Sequence, residues 1–232
     1  HIELSKPVYH PGFIKKVKKV LEIVCLNCSK VLADRSDPEF LQAVNTRDPK
    51  LRFNRVWQIC KEKKRCENDP PEEKKDADEI PGIKTAPPVN HNGCGNVHPN
   101  IRHKALSLLS VYEIKDEETK SKEKKEEPIT PEMAHNVLRR ISDDDLRDMG
   151  LNLDYARPEW MIVTVLPVPP PPVRPSISMD GTGQGLRNED DLTYKLGDII
   201  RANSNVRQAI HEGSPAHISR DFEQLLQYHV AP

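Results

Sequence analysis

The chain has 232 residues, a net charge of -1, 36% hydrophobic, 5% aromatic and 31% charged residues, and 21 prolines. So few aromatics beside so much charge and proline exclude one dense globule and predict modest folded elements between solvated insertions. The near-neutral balance gives no global sign of a nucleic-acid or membrane partner, and no apolar run approaches the roughly 20 residues of a spanning helix.

His10, Pro11 and Gly12 precede a helical pattern in which Phe13, Ile14, Val17, Val20, Leu21 and Val24 recur at spacings of one, three and four. Lys15, Lys16, Lys18 and Lys19 occupy the opposite face, which is either simply solvated or turned toward phosphates. Asp37-Pro38 and Asp48-Pro49 each read as a helix N-cap followed by proline at the first helical position. The second of these helices sets Phe53, Val56, Trp57 and Cys60 on one face. Residues 67–92 then collapse into Pro, Glu, Lys and Asp and predict a mobile loop. Residues 105–114 predict a strand, and the charge run from Lys115 to Glu127 predicts a disordered insertion.

Thr130-Pro131 opens a further helix, and Ser142 caps a short one that ends near Gly150. Residues 160–166 predict a buried strand that runs into the prolines of 167–175. Gly181 to Gly185 predicts a flexible loop. The chain closes with two amphipathic patterns at near-heptad spacing. The first carries Leu192, Leu196, Ile199 and Asn203, the second Ile218, Phe222, Leu225 and His229, with Gly213-Ser214-Pro215 between them. This predicts an antiparallel helical hairpin.

Five cysteines are too few and too uneven for a secreted disulfide framework, and there is no signal-peptide h-region; a reducing, intracellular compartment is expected. The start at His1 and the end just after an apolar helix are expected of a segment cut from a longer protein. Cys25-Leu26-Asn27-Cys28 is a CxxC knuckle at the end of the first helix. Tetrahedral zinc wants two such thiolates and two more ligands from elsewhere, which Cys66 and Cys94 can supply. Around Cys94, glycines allow amide N–H groups to approach the sulfur. His91 and His98 flank Cys94 and are alternative ligands. A redox CxxC would need a thioredoxin-like alternation that is missing here. Cys60, on an apolar helix face, reads as a small core residue.

Pro169 to Arg174 matches the PxxPxR pattern of a polyproline-II ligand, which raises the reading of an adaptor that docks SH3 or WW partners. Its fusion to an apolar strand favours instead a rigid spacer packed on a folded body. No phosphate-binding loop, nucleophile elbow, HExxH or metal-spaced aspartate cluster is present, so no catalytic residue is expected. Asp143 to Asp145 and Glu189 to Asp191 are explained by helix N-termini.

Taken together, HIELSKPVYHPGFI, VCLNC, VWQIC, NGCGN, RPEWM, PPPPVRPSIS, EDDLTYKL and LLQYHV resemble the N-terminal clamp region of the largest subunits of eukaryotic DNA-directed RNA polymerase II, over nearly the whole chain. The long loop before Cys94, the charged run at 115–127 and Asn92, where a glycine is usual, depart from the family's common pattern.

The resemblance implies an α+β fold, an irregular zinc-stabilised clamp module of several segments that ends in an antiparallel helical hairpin (coiled coil). Residues 1–114 would form a zinc-binding clamp head with the mobile loop 67–92. Residues 115–128 would be the disordered insertion, 129–180 a helical segment, strand and proline run, 181–188 a flexible loop, and 189–232 the coiled-coil hairpin. It implies that Cys25, Cys28, Cys66 and Cys94 are the ligands of one Zn²⁺, with Cys60 outside the set and His1 not a ligand. The Mg²⁺-binding catalytic aspartates belong only to the full enzyme, a nucleotidyltransferase. Implied partners are the other polymerase II subunits, DNA and the DNA–RNA hybrid, and initiation and NusG-like elongation factors at the coiled coil, in the nucleus and without a membrane. Lys15, Lys16, Lys18, Lys19, Arg52 and Arg55 are the candidate nucleic-acid contacts. Asp190, Lys195, Asp198 and Arg201 are the candidate factor contacts.

Overall fold

The computed structural model describes residues 1–67, 93–115 and 122–231. The predicted mobile loop 67–92 lies, but for Glu67, outside the described residues. Strand β1 (Ile2–Tyr9) leads into α1 (Ile14–Ile23), whose Val17, Val20 and Leu21 are fully buried. Phe13 is not part of that apolar face. It sits at the N-cap, half exposed, with its ring 4.7 Å from that of His10. Helices α2 (Pro38–Val44) and α3 (Pro49–Glu62) start where aspartate and proline predict. Asp37 accepts from the Glu39 N–H, and Asp48 from those of Lys50 and Leu51. Phe53, Val56 and Cys60 of α3 are buried against α1.

Three strands follow in the order β2 (Asn100–Lys104), β3 (Ser107–Lys115) and β4 (Lys122–Ile129), antiparallel throughout. Strand β4 corrects the expectation of a disordered insertion over 115–128; residues 116–121 lie outside the described residues. The run carries no apolar period because its backbone ladder to β3 holds it while its side chains stay in water. Lys125 pairs with Glu127 at 2.8 Å and Arg102 with Glu126 at 3.7 Å, and over the described side chains of 124–129 only Ile129 enters the core.

Helix α4 (Pro131–Arg139) is capped by the Thr130 hydroxyl, and α5 (Asp143–Asp148) by that of Ser142. A 3-10 turn at Pro158–Met161 precedes β5 (Ile162–Leu166), which pairs antiparallel with β1. The expected buried strand over 160–166 is therefore shorter and half exposed: Ile162 is buried, whereas Trp160 and Val165 are exposed. A two-stranded sheet leaves one edge, and part of a face, in solvent. The proline run is not packed down either, since Pro167 and residues 170–173 are exposed. Two residues of the expected loop 181–188 belong to a short ladder, β6 (Ile177–Ser178) with β7 (Arg187–Asn188).

Helices α6 (Asp191–His211) and α7 (Ala216–Val230) pack on each other. Their buried face is Ile199, Ala202, Asn203, Val206 and Ala209 against Leu226 and Gln227. Leu192, Ile218 and Leu225, expected in the seam, are exposed. The seam is therefore rotated by one residue on α7.

Strand β1 stands between two apolar clusters. Its alternation turns Tyr9 into the large core of α1, α3 and α4, and Val8 into a smaller one with Ile199, Val206 and Leu226. The outer edge of β1 is closed by two side-chain amides. Asn203 accepts from Ser5 N–H at 2.7 Å and donates to Glu3 O at 2.9 Å. Gln227 accepts from Tyr9 N–H at 2.6 Å and donates to Tyr9 O at 2.9 Å.

Candidate metal centre

Two small backbone devices bring the four cysteines together. After α1, the chain turns back so that Cys25 N–H donates to Lys30 O and Ser29 N–H to Cys25 O, with a bridge between Val24 and Val31. Closing this knuckle puts Ser29 at φ +63°, in the left-handed region. After α3, a second bridge joins Arg65 to Val97, and Cys66 N–H donates to Asn96 O at 2.9 Å. Gly93 is required there: a Cβ would lie 1.7 Å from the Glu67 carbonyl oxygen and 2.9 Å from the Cys66 sulfur. Gly95, at φ +74°, completes the turn.

The sulfurs of Cys25, Cys28, Cys66 and Cys94 all lie within 4.8 Å of one another. Cys25 Sγ is 3.5 Å from Cys94 Sγ, and Cys28 Sγ is 3.7 Å from Cys66 Sγ. A tetrahedron with metal–sulfur bonds of about 2.3 Å has edges of about 3.8 Å. The donor set therefore fits a tetrahedral thiolate site, one that can hold a metal ion without an open coordination position.

The thiols differ in their readiness to ionise. At Cys94, desolvation opposes the thiolate but is outweighed by the Asn96 N–H, the Asn27 side chain and the neighbouring thiols, so its pKa falls to about 6. Burial pushes Cys66 up to about 12 and also raises Cys25. Without a cation, one thiolate would suppress the next; a divalent ion reverses that repulsion. Cys60 lies outside the cluster, fully buried, with burial raising its thiol to about 12. His98 is not in the cluster either. It is buried, neither ring nitrogen has a partner, and desolvation lowers its pKa to about 4. His91 lies outside the described residues.

The basic candidates are not a uniform stripe. Lys16 Nζ sits 3.0 Å over the Phe53 ring and Lys19 Nζ 4.3 Å over Trp57, while Lys18 pairs with Glu22 at 3.1 Å. Desolvation, then repulsion from Lys19, lowers the Lys16 pKa to about 8. Arg52 donates to the carbonyls of Thr46 and Arg147, and Arg55 to the Thr46 hydroxyl. Lys15 is exposed. On the hairpin, Asp190 caps α6, Lys195 lies 5.8 Å from the Tyr228 ring centroid, and Asp198 pairs with Arg201. In the proline run, Arg174 is turned inward, with Nε on Pro169 O at 2.8 Å and a guanidinium nitrogen on Thr193 Oγ1 at 3.2 Å. The basic anchor that a PxxPxR ligand presents is thus already engaged within the chain.

Sequence reasoning missed Ser29, Asn203 as a strand cap, and Gln227. The signal for the amides was present, because a polar residue on an otherwise apolar helix face must find buried partners. Among the described residues no helix is long and apolar enough to cross a membrane.

The family described as RNA polymerase Rpb1, domain 1, matches residues 1–232. The chain is also 36% identical over 231 residues to the DNA-directed RNA polymerase II subunit RPB1 of Euplotoides octocarinatus, an alignment that covers 100% of this chain and 44% of that protein. It thus spans less than half the length of that relative. A whole-length family match, on a chain whose four dispersed cysteines converge, decides the matter: the chain belongs to the RNA polymerase Rpb1 domain 1 family, the N-terminal region of RNA polymerase largest subunits.

Proposed function

We propose that the chain is the clamp segment of a nuclear RNA polymerase II largest subunit, which helps to retain DNA and the DNA–RNA hybrid while catalysis proceeds elsewhere in the enzyme. The family match over residues 1–232 carries this reading. Cys25, Cys28, Cys66 and Cys94 would hold one Zn²⁺, a closed structural ion that supplies cross-linking rather than Lewis-acid chemistry. The residues themselves do the rest. Cys25 and Cys28 fix the end of α1, Cys66 the end of α3, and Cys94 the approach to β2, so three elements of the large core become one rigid body. Of the basic candidates, Lys15 and Arg55 are the exposed ones, suited to phosphate contacts that carry no base specificity. Lys16, Lys18, Lys19 and Arg52 position the surface around them. Asp190, Lys195, Asp198 and Arg201 line the hairpin that would receive initiation and elongation factors. Mg²⁺ would be bound only by the complete enzyme. The adaptor reading has no support, because Arg174 is spent on internal partners.

Elemental analysis of the chain and of its five single Cys→Ser variants tests the centre. One zinc per chain is expected, lost from the variants at Cys25, Cys28, Cys66 and Cys94 and kept at Cys60. Full zinc content in Cys94→Ser would refute the ligand set. The clamp role is tested on elongation complexes whose largest subunit carries Cys94→Ser. They should dissociate several-fold faster in high salt, and an unchanged salt half-life would sink that role.

A further inference from the structure

The sheet edges of this chain are treated very differently. The outer edge of β1 is closed by the Asn203 and Gln227 amides. Strand β4 exposes Lys124, Lys125, Glu126, Glu127 and Pro128, and β2 exposes Arg102, His103 and Lys104. Charge and proline on an edge discourage pairing with another chain. The free edge of β5 has no such device. Ile162 to Leu166 (IVTVL) carries no charge and no proline, and no strand pairs with its far side among the described residues.

A groove of about 380 Å³ is lined by this strand together with His10, His135, Glu159 and Trp160. Consecutive residues from Ile162 to Pro167 line it, which alternation forbids for one face of a strand and permits only for its edge. Its near end holds Glu159 and Trp160. One oxygen of Glu159 takes the Arg157 Nε at 2.6 Å; the other, Oε2, is buried without a hydrogen-bond partner. Trp160, which lines the same groove, is 57% exposed.

We propose that β5 is a docking edge for an extended segment of a different polypeptide, which adds as a third strand and places a lysine or arginine between Glu159 and Trp160. Main-chain hydrogen bonds to β5 supply the attachment, and the cation supplies the specificity. It satisfies Glu159 Oε2 and lies against the indole face. A second copy of this chain fits less well, because its own β5 brings no basic residue to meet Glu159. Thr164 is the point of leverage. It is exposed and lies opposite the irregularity between Glu3 and Val8, without a register partner on β1.

The inference rests on the polymerase reading only for where the partner is sought, and the test separates the two. A photo-cross-linking phenylalanine analogue replaces Val165 in the tagged full-length protein, expressed in cells. After irradiation the adducts are mapped by mass spectrometry, in the parent and with Thr164→Pro or Thr164→Lys added. The expected result is one adduct to an extended segment of another polypeptide, with Lys or Arg within two residues of the site. Both Thr164 variants should lose most of it while circular dichroism stays unchanged. No adduct, an adduct to a second copy, a partner segment without a basic residue, or an adduct indifferent to both variants overturns the proposal. Failure of the tagged protein to co-purify with polymerase activity sinks the polymerase reading alone, since the adduct is read on the tagged chain either way.

Discussion

The region around the cysteines and the terminal hairpin are built on opposite plans. The first buries more than twenty apolar residues from β1 to β5 in one cluster and fastens it at one end with four sulfurs. The hairpin has a small cluster of Val8, Ile199, Ala202, Val206 and Leu226, and it is tied down by two amides on the edge of β1. A large core tolerates the loss of a single polar contact, because area removed from water dominates its stability. A small one depends on having its polar groups satisfied. The hairpin is thus the part of the molecule whose placement is decided by hydrogen bonds, and β1 is the strip both parts share.

Gln227→Leu is the most direct way to break that arrangement. The substitution keeps the apolar seam but leaves the Tyr9 N–H and C=O buried without partners. Each orphaned group costs about 1–3 kcal/mol, so a loss of about 2–6 kcal/mol is expected in urea unfolding. Hydrogen exchange should localise it. Amides of α6 and α7 should exchange faster while those of α1 and α3 keep their protection. Equal loosening of both regions would show that the hairpin is held by the common core rather than by the amides.

The two plans were unequally legible in the sequence. For the cysteine region, Asp-Pro and Thr-Pro pairs marked the helix starts, and the one-three-four spacing of α1 and α3 marked their buried faces. A CxxC knuckle with two further cysteines was enough to indicate a cluster. Local chemistry decided each of these, and local chemistry is what a sequence displays. Strand β4 was hidden because its pairing is paid for by β3, far less by its own side chains. The same holds for β5, whose apolar run gave no sign that only Ile162 would be fully buried, with Val163 and Leu166 half covered and Val165 exposed. In the hairpin, heptad spacing found both helices but chose Leu225 over Leu226. Which of two adjacent apolar residues enters a seam depends on the partner strand, here β1, some two hundred residues away.

Within the cysteine region, His98 should make a smaller and pH-dependent contribution. Its folded pKa of about 4 lies below the ordinary 6.5 because burial disfavours the imidazolium; the nearby Glu22 carboxylate opposes this only partly. A depressed pKa means that the unfolded chain binds the proton more readily. The stability is therefore whole above pH 6.5 and is lost as pH falls toward 4, by about 2–3 kcal/mol. Thiolates also release metal as the pH falls, so the measurement is a difference: denaturant unfolding of the parent and of His98→Phe at pH 7 and pH 5. The parent should lose more on acidification than the variant. Identical losses would mean that the buried imidazole does not titrate with unfolding.

The smallest effect sharpens the account of the knuckle itself. Ser29 adopts φ +63° with a buried hydroxyl that has no hydrogen-bond partner. The left-handed region costs a side-chain-bearing residue about 1–2 kcal/mol, and glycine is free of that cost. Against this stands the greater backbone entropy that glycine loses on folding, about 0.5–1 kcal/mol. Removing the unpaired hydroxyl from a buried site adds to the gain, so Ser29→Gly should stabilise the chain by about 0.5–1 kcal/mol. A thermal unfolding midpoint raised by a few degrees, with any bound metal retained, is the expected outcome. A lowered midpoint would mean that the hydroxyl is satisfied in solution and that the turn between Cys28 and Lys30 relies on it.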